Sequence, residues 1–353
     1  MNSPLLDERN KAVLLAVIDK YIETAEPVGS RTVAKIHPEH LSSATLRNTM
    51  AELEERGFLS QPHKSAGRTP TDKGYRFYVD HLLRPQNFLM KAEVLSEGHE
   101  LEYPPEQQNL QGLLEQACEN LSKDSQQTGL VMLPNFSSAC FKHIEFTKVA
   151  PQAALAVFFS EQGILQNKVL PIDSDMTQDQ LTSISNYLNS EFSGKPIKVI
   201  LRELVKRLKL EKEHYNHLAS KAHALSAAIF SEKKENCELI VEGALNFLDQ
   251  PEFTEDISKI KALLFTLEEK TKLINLLDLC LHHDGMTILI GEENLQEEMG
   301  NCSLIAQNYQ LGNENVGTLA VFGSKRMDYK RIISIVNRTA KIVSKLISEN
   351  KGV

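Results

Sequence analysis

Four side chains in the run "SATLRN" carry groups that can read nucleic-acid bases. Ser43, Thr45 and Asn48 can both donate and accept hydrogen bonds, and Arg47 donates in a planar fork. An arginine fork matches a guanine edge, and an asparagine amide matches an adenine edge. Further along, "PHKSAGRTPTDKGYR" gathers Lys64, Arg68, Lys73 and Arg76 around two glycines and two prolines, with Asp72 its single acid. Cations beside the small residues Ser65, Ala66 and Gly67 suit a loop whose backbone comes close to a phosphate. Together the two runs predict contact with double-stranded DNA through Ser43, Thr45, Arg47, Asn48, Lys64, Ser65, Arg68, Lys73 and Arg76. A nucleotide-cradling P-loop is excluded, because no Gly-Lys-Ser/Thr follows Gly67 at the required spacing.

Such groups need elements to aim them. Leu14, Val17, Ile18, Tyr21 and Ile22 recur at helical spacing behind Asp7, a plausible N-cap, and Pro27 and Gly29 end that helix. Ser30 can cap a short second helix that His37-Pro38 ends. Ser42 can cap a third, with Leu46, Met50 and Leu53 as its apolar stripe and Gly57 as its terminator. Arg47 and Asn48 then lie in the first turns of the third helix, while Glu52, Glu54 and Glu55 come later. "GFLSQ" predicts a short strand, "PHKSAGR" a tight loop, and "TPTDKGYRFYVDHLL" a returning helix carrying Tyr75, Tyr78, Val79 and Leu82 on one face. Helix, helix, helix, strand, loop and helix is the order of a winged helix-turn-helix. The three helices alone would equally suit a small bundle with a solvated polar face.

Charge places these runs in an unusual setting. The 353 residues carry a net charge of −8, so bulk charge does not draw this protein to nucleic acid. Residues 1–84 hold twelve Lys/Arg against eleven Asp/Glu, and the remainder holds 27 against 36. Any nucleic-acid contact therefore belongs in the first quarter. With 41% hydrophobic and 24% charged residues, the composition is that of a soluble globular protein with two or three cores. The N-terminus lacks the features of a signal peptide, no apolar run is long enough to span a membrane, and a cytoplasmic location is expected. Cys118, Cys140, Cys237, Cys280 and Cys302 are scattered, and read as free thiols in a reducing compartment. His282-His283-Asp284 reads as a polar helix end before Gly285. No nucleophile–base set appears, so neither an enzyme nor a cofactor or metal site is expected.

Residues 85–108 are polar, contain Pro104-Pro105, and read as a linker. Leu110, Leu113, Leu114, Ala117, Cys118 and Leu121 then form a helical stripe. Strands follow in "TGLVML", "KHIEFTKVA", "AALAVFF" and "ILQNKVLP", then mostly helix from Thr177 to about Asn236. Strands return in "MTILIGEE", "CSLIAQNY" and "GTLAVFG" before a last amphipathic helix. Antiparallel-looking strands flanked by helices predict an α+β class.

"YIETAEPVGSRTVAK", "SSATLRNTMAELEERGFLSQPHKSAGRTPTDKGYRFYVD" and "VGTLAVFGSKRMDYKR" resemble the heat-inducible transcription repressors, the HrcA family. The resemblance is nearly continuous through residues 7–83. It departs from the family's usual residues at Ser43 (proline), Thr49 (aspartate) and Thr69 (a β-branched aliphatic). It implies a winged-helix head over residues 1–84 and a GAF-like domain over 109–350. That domain would carry an inserted, mostly helical dimerisation domain at about 173–236. It also implies a homodimer bound to the inverted-repeat CIRCE operator of chaperone operons, with the chaperonin as a second partner that maintains active repressor. A GAF-like domain sensing a small-molecule effector is the alternative expectation.

Overall fold

Asp7 accepts the backbone N–H of Asn10 (2.6 Å) and so starts helix α1 (Glu8–Thr24). The helix stops at Ala25, whose backbone takes the left-handed conformation and whose N–H returns to the Tyr21 carbonyl. The turn through Pro27 leads to α2 (Ser30–Ile36), and α3 (Ser43–Glu55) begins where the Ser42 hydroxyl accepts the N–H of Thr45. Val13, Leu14, Val17 and Ile18 of α1, Val33 of α2, and Leu46, Met50 and Leu53 of α3 are buried. Each such side chain contributes about 1.5–3 kcal/mol relative to exposure. Asn10 is buried too, and its amide donates to Glu52 (2.9 Å), tying α1 to α3.

The computed structural model describes residues 6–36, 42–63, 66–84, 110–134, 140–160, 165–195, 197, 199–200, 203, 239–251, 263–265, 267, 269–283, 285–294, 299–312 and 314–349. The expected linker, most of the expected helical stretch up to Asn236, and Asp284 lie outside the described residues.

After Gly57, strand β1 (Leu59–Ser60) pairs antiparallel with β2 (Thr69–Pro70), and the Ser60 and Thr69 hydroxyls meet across the ribbon at 3.0 Å. Thr71 caps α4 (Asp72–Leu82) by accepting the Gly74 N–H, and its own hydroxyl reaches the Gly57 carbonyl at 2.7 Å. Gly74 is required here: a Cβ would strike the Phe58 carbonyl.

Helix α5 (Leu110–Ser125) precedes β3 (Thr128–Met132), every residue of which is buried. Chain order then passes to β4 (Phe141–Ala150), β5 (Ala153–Ser160), β6 (Leu165–Pro171) and α6 (Gln178–Phe192). After these come β7 (Leu239–Glu242), α7 (Lys270–Leu281), β8 (Met286–Ile290), β9 (Cys302–Leu311), β10 (Glu314–Ser324) and α8 (Tyr329–Glu349). The strands make two larger sheets, five-stranded β7-β3-β10-β9-β8 and three-stranded β4-β5-β6. The class is α+β, as expected.

Two compact units result. One holds residues 1–132, 239–309 and 318–343; the other holds 133–238, 310–317 and 344–353. The sequence reading began the inserted segment near residue 173 and placed the preceding strands in the GAF-like domain. The second unit starts at Leu133 and takes β4, β5 and β6 with it, so its described part is mixed rather than mostly helical. The physical reason is partnership. Ile144 and Phe146 of β4 and Ala154, Ala156 and Phe158 of β5 bury against Leu181, Ile184 and Leu188 of α6, in a core of their own. Period-two patterning predicts a strand but not the sheet it joins.

The edge of that smaller sheet is closed in a particular way. Along β4, the Ile144 N–H and carbonyl bond the Asn189 amide (2.8 and 3.0 Å), and the Phe146 N–H bonds the Ser185 hydroxyl (3.1 Å). The Phe146 carbonyl and the Lys148 N–H bond the Gln178 amide (3.0 and 2.8 Å). One helix thus covers the strand edge with three side chains.

In the first unit, Asn308 and Tyr309 are buried polar residues with paired side chains. Asn308 donates to the carbonyls that end α7, at Cys280 and Leu281 (both 3.2 Å), and its oxygen accepts from Thr318. Tyr309 donates to the Met132 carbonyl (2.9 Å). Among the described residues no disulfide joins Cys118, Cys140, Cys280 and Cys302, and burial pushes Cys118 up to about 12 and Cys280 up to about 11. Cys237 lies outside the described residues.

Candidate nucleic-acid interface

The first turns of α3 divide the four residues of "SATLRN" into two pairs. Ser43 meets the Ser30 hydroxyl (3.1 Å) and so joins the starts of α2 and α3, while Thr45 meets the capping Ser42 hydroxyl (2.9 Å). Arg47 and Asn48 are exposed, and among the described residues neither is held by an ion pair or a side-chain hydrogen bond. The opposite face of the same helix is fixed by the buried Leu46, Met50 and Leu53. The helix therefore presents a guanidinium and an amide outward from a rigid base. It offers groups able to read bases in a groove that admits one helix.

The ribbon stands beside this helix. Arg68 exchanges backbone hydrogen bonds with Val28 (both 2.9 Å), so the turn between α1 and α2 adds a third line to the ribbon. Gly67 makes this approach achievable, because a Cβ there would lie 2.5 Å from the Val28 carbonyl carbon. The small residue serves a contact inside the protein, whereas the sequence reading gave it to a phosphate. The Arg68 side chain is mostly covered and its Nε sits 2.8 Å from Glu54, an ion pair bent away from ideal hydrogen-bond alignment. It thus braces the ribbon against the end of α3. Lys64 and Ser65 lie outside the described residues.

The other two expected cations are committed elsewhere in this structure. Lys73 donates to the Arg56 carbonyl (2.8 Å) and lies over the Phe58 ring at 4.6 Å. Arg76 forms a fork with Glu293 and donates to the Ile288 carbonyl (2.7 Å). Burial works against its charge, but the bonds and charges of Glu293 and Asp80 together outweigh this and hold the guanidinium above its ordinary pKa. A partner 217 residues away leaves no local signal in the sequence.

No group of three His, Cys, Asp or Glu residues able to hold a metal occurs among the described residues, and no described helix is long and apolar enough to cross a membrane.

The match to known families covers most of the chain. The family model described as HrcA protein C terminal domain matches residues 111–333. A heat-inducible transcription repressor HrcA of Geobacter sulfurreducens is 39% identical over 97% of this chain and 98% of that one. The chain belongs to the HrcA family. HrcA proteins are transcription repressors, not enzymes, and other HrcA relatives match at similar length. That of Syntrophobacter fumaroxidans is 35% identical over 98% of both chains, and that of Bacillus pumilus is 35% identical over the same shares. A crystal structure of a hypothetical protein at 2.2 Å resolution covers 98% of this HrcA-family chain and 99% of its own. Its TM-score is 0.59 at 22% identity, a likeness of fold.

Proposed function

We propose that this HrcA-family chain is a cytoplasmic, sequence-specific repressor that binds an inverted-repeat operator of the CIRCE type as a homodimer and controls chaperone genes. The observation that carries the proposal is the outward, unpartnered pair Arg47 and Asn48 on a helix anchored from behind. Residues 7–83 act as a winged helix-turn-helix head. In this reading α3 enters the major groove, with Arg47 toward a guanine edge and Asn48 toward an adenine edge. Ser43 and Thr45 hold the helix start, and Lys64 and Ser65 meet the sugar-phosphate backbone. Arg68 aligns the ribbon with α3. Lys73 and Arg76 take no part in the proposed contact.

A single head of this size buries roughly 600–1,000 Å² on DNA, too little for genomic selectivity, which supports a two-fold pair reading two half-sites. The five-stranded domain is read as GAF-like, and the smaller unit as its dimerising insertion. Family membership supports the chaperonin as the partner that maintains the active fold. Heat would divert the chaperonin to unfolded chains, lower the pool of active repressor and release the genes.

A footprint of the purified protein on DNA upstream of its own coding region tests this. Protection of an inverted repeat is expected, with the protected fraction rising when chaperonin is added. Equal protection of scrambled DNA would refute sequence-specific repression, and a fraction indifferent to chaperonin would refute that partner.

A further inference from the structure

The face of the head opposite its reading edge is not bare. Asp72, Tyr75, Arg76 and Tyr78 recur at spacings of three and four along α4, and each meets the five-stranded domain within the same compact unit. Asp72 accepts from the Lys325 ammonium (2.7 Å) and from the backbone N–H of Glu292 (3.0 Å). Gly291, at φ +54°, leaves room for it, because a Cβ there would fall on the Asp72 carboxylate. One turn on, Arg76 makes its fork with Glu293, whose carboxylate is itself held by the Ile290 N–H (3.0 Å). Tyr75 and Tyr78 pack against the fully buried Tyr329 ring, with centroids 5.8 and 6.3 Å away. At the end of α1, Asp19 accepts from Tyr78 and from Lys330 (2.7 Å), and Arg326 donates to the Ile22 carbonyl (2.6 Å).

These bonds alternate in sign. The head contributes acid, base and acid at Asp72, Arg76 and Asp19, and the sheet domain answers with base, acid and base at Lys325, Glu293 and Lys330. An alternating pattern fixes register, since sliding the head along the sheet would bring like charges together. The docking face comprises α4 and the end of α1, while Arg47 and Asn48 of α3 stay exposed in the same structure. Docking therefore leaves the reading edge open and fixes its direction.

We propose that Glu293, Lys325 and the Gly291–Glu293 turn are positioning residues that hold the head in one orientation, and so make the protein selective for the spacing between half-sites. This rests on the operator-binding reading and adds a specificity determinant outside the DNA interface. A head on a loose tether would accept many spacings, whereas a head clamped by charged bonds accepts one, because five base pairs of extra spacer turn the second half-site to the far side of the duplex.

The test uses the full-length dimer and duplexes built on the footprinted repeat: one half-site alone, the native spacing, and spacers lengthened in single base pairs through a full helical turn. The unsubstituted protein should favour the native spacing by about tenfold or more over a spacing changed by half a turn. The double variant Glu293→Gln, Lys325→Ala should reduce that preference to about threefold or less, with single half-site binding unchanged. The exchange Arg76→Glu with Glu293→Arg, which keeps an oppositely charged pair at that place, should retain selectivity. A double variant that keeps the original spacing profile would overturn the positioning role. So would a parallel loss of half-site binding, which would mark damage to the head itself. Absence of any spacing preference in the unsubstituted protein would also overturn the positioning role, whereas equal binding to the repeat and to scrambled duplex would overturn the operator-binding reading.

Discussion

Gly67→Val should unfold the ribbon and abolish operator binding while leaving the rest of the chain folded. The added branch would meet the Val28 carbonyl and the Pro27 carbonyl carbon, both backbone atoms that cannot rotate away. Relief requires the ribbon to leave the turn, which breaks both Val28–Arg68 hydrogen bonds and misaligns Arg68 from Glu54. The head should lose roughly 3–5 kcal/mol, from overpacking combined with two backbone bonds of about 1 kcal/mol each. Gly29→Ala is the matched control: nothing lies within 4 Å of its Cβ position, so its cost should stay below about 1 kcal/mol. Denaturant unfolding followed by far-UV circular dichroism reads both, and a Gly67→Val head as stable as the Gly29→Ala head would contradict the packing described.

The second large effect is expected at the outward face of α3. Arg47→Ala or Asn48→Ala should each cost roughly 1–3 kcal/mol on the operator and far less on random DNA, so that discrimination collapses before affinity does. Neither side chain supports the fold, and unfolding curves should be unchanged. Lys64→Ala should act in the opposite manner, weakening operator and random DNA alike and flattening the log K against log [salt] line by about one unit. Arg68→Ala belongs to a third class: its side chain braces α3, so its main effect should be on unfolding of the head. Salt titrations on both DNAs separate the classes. Undiminished discrimination in both α3 variants would remove α3 from the groove.

The pattern of what could be read from residues alone follows the range of the forces involved. Asp7 and Ser42 act on backbone N–H groups three residues away, so the starts of two helices in the head are legible as caps. The apolar stripe of α3 is legible for the same reason, being a matter of spacing within one element. Gly67 was legible as a residue needing a close approach, but not as one approaching Val28 rather than a phosphate. Arg76 looked like part of a basic patch because its local neighbours are basic, and only the fold brings Glu293 to it. Strand β7 went unread altogether: "LIVE" is four residues long, and half of it is only partly buried, so it carries no alternation to notice. The allotment of β4, β5 and β6 to a separate sheet depends on long-range partners, to which periodicity is blind.

The way α6 closes the edge of β4 gives that edge an unusual melting behaviour. An interior strand loses its hydrogen bonds only when a neighbouring strand leaves, but β4 depends here on Gln178, Ser185 and Asn189, spread over three turns of one helix. The amides of Ile144, Phe146 and Lys148 should therefore exchange with solvent at the rate at which α6 opens, faster than those bonded within the β4–β5 ladder. Native-state hydrogen exchange on warming would show the three moving together with α6, and amides tracking the β5 ladder instead would disprove the coupling. Loss of the helix would expose a bare strand edge that pairs readily with another chain, so helix fraying converts directly into aggregation. In this repressor the helix whose opening frees these amides would thus also be the one that guards the strand edge against pairing with another chain.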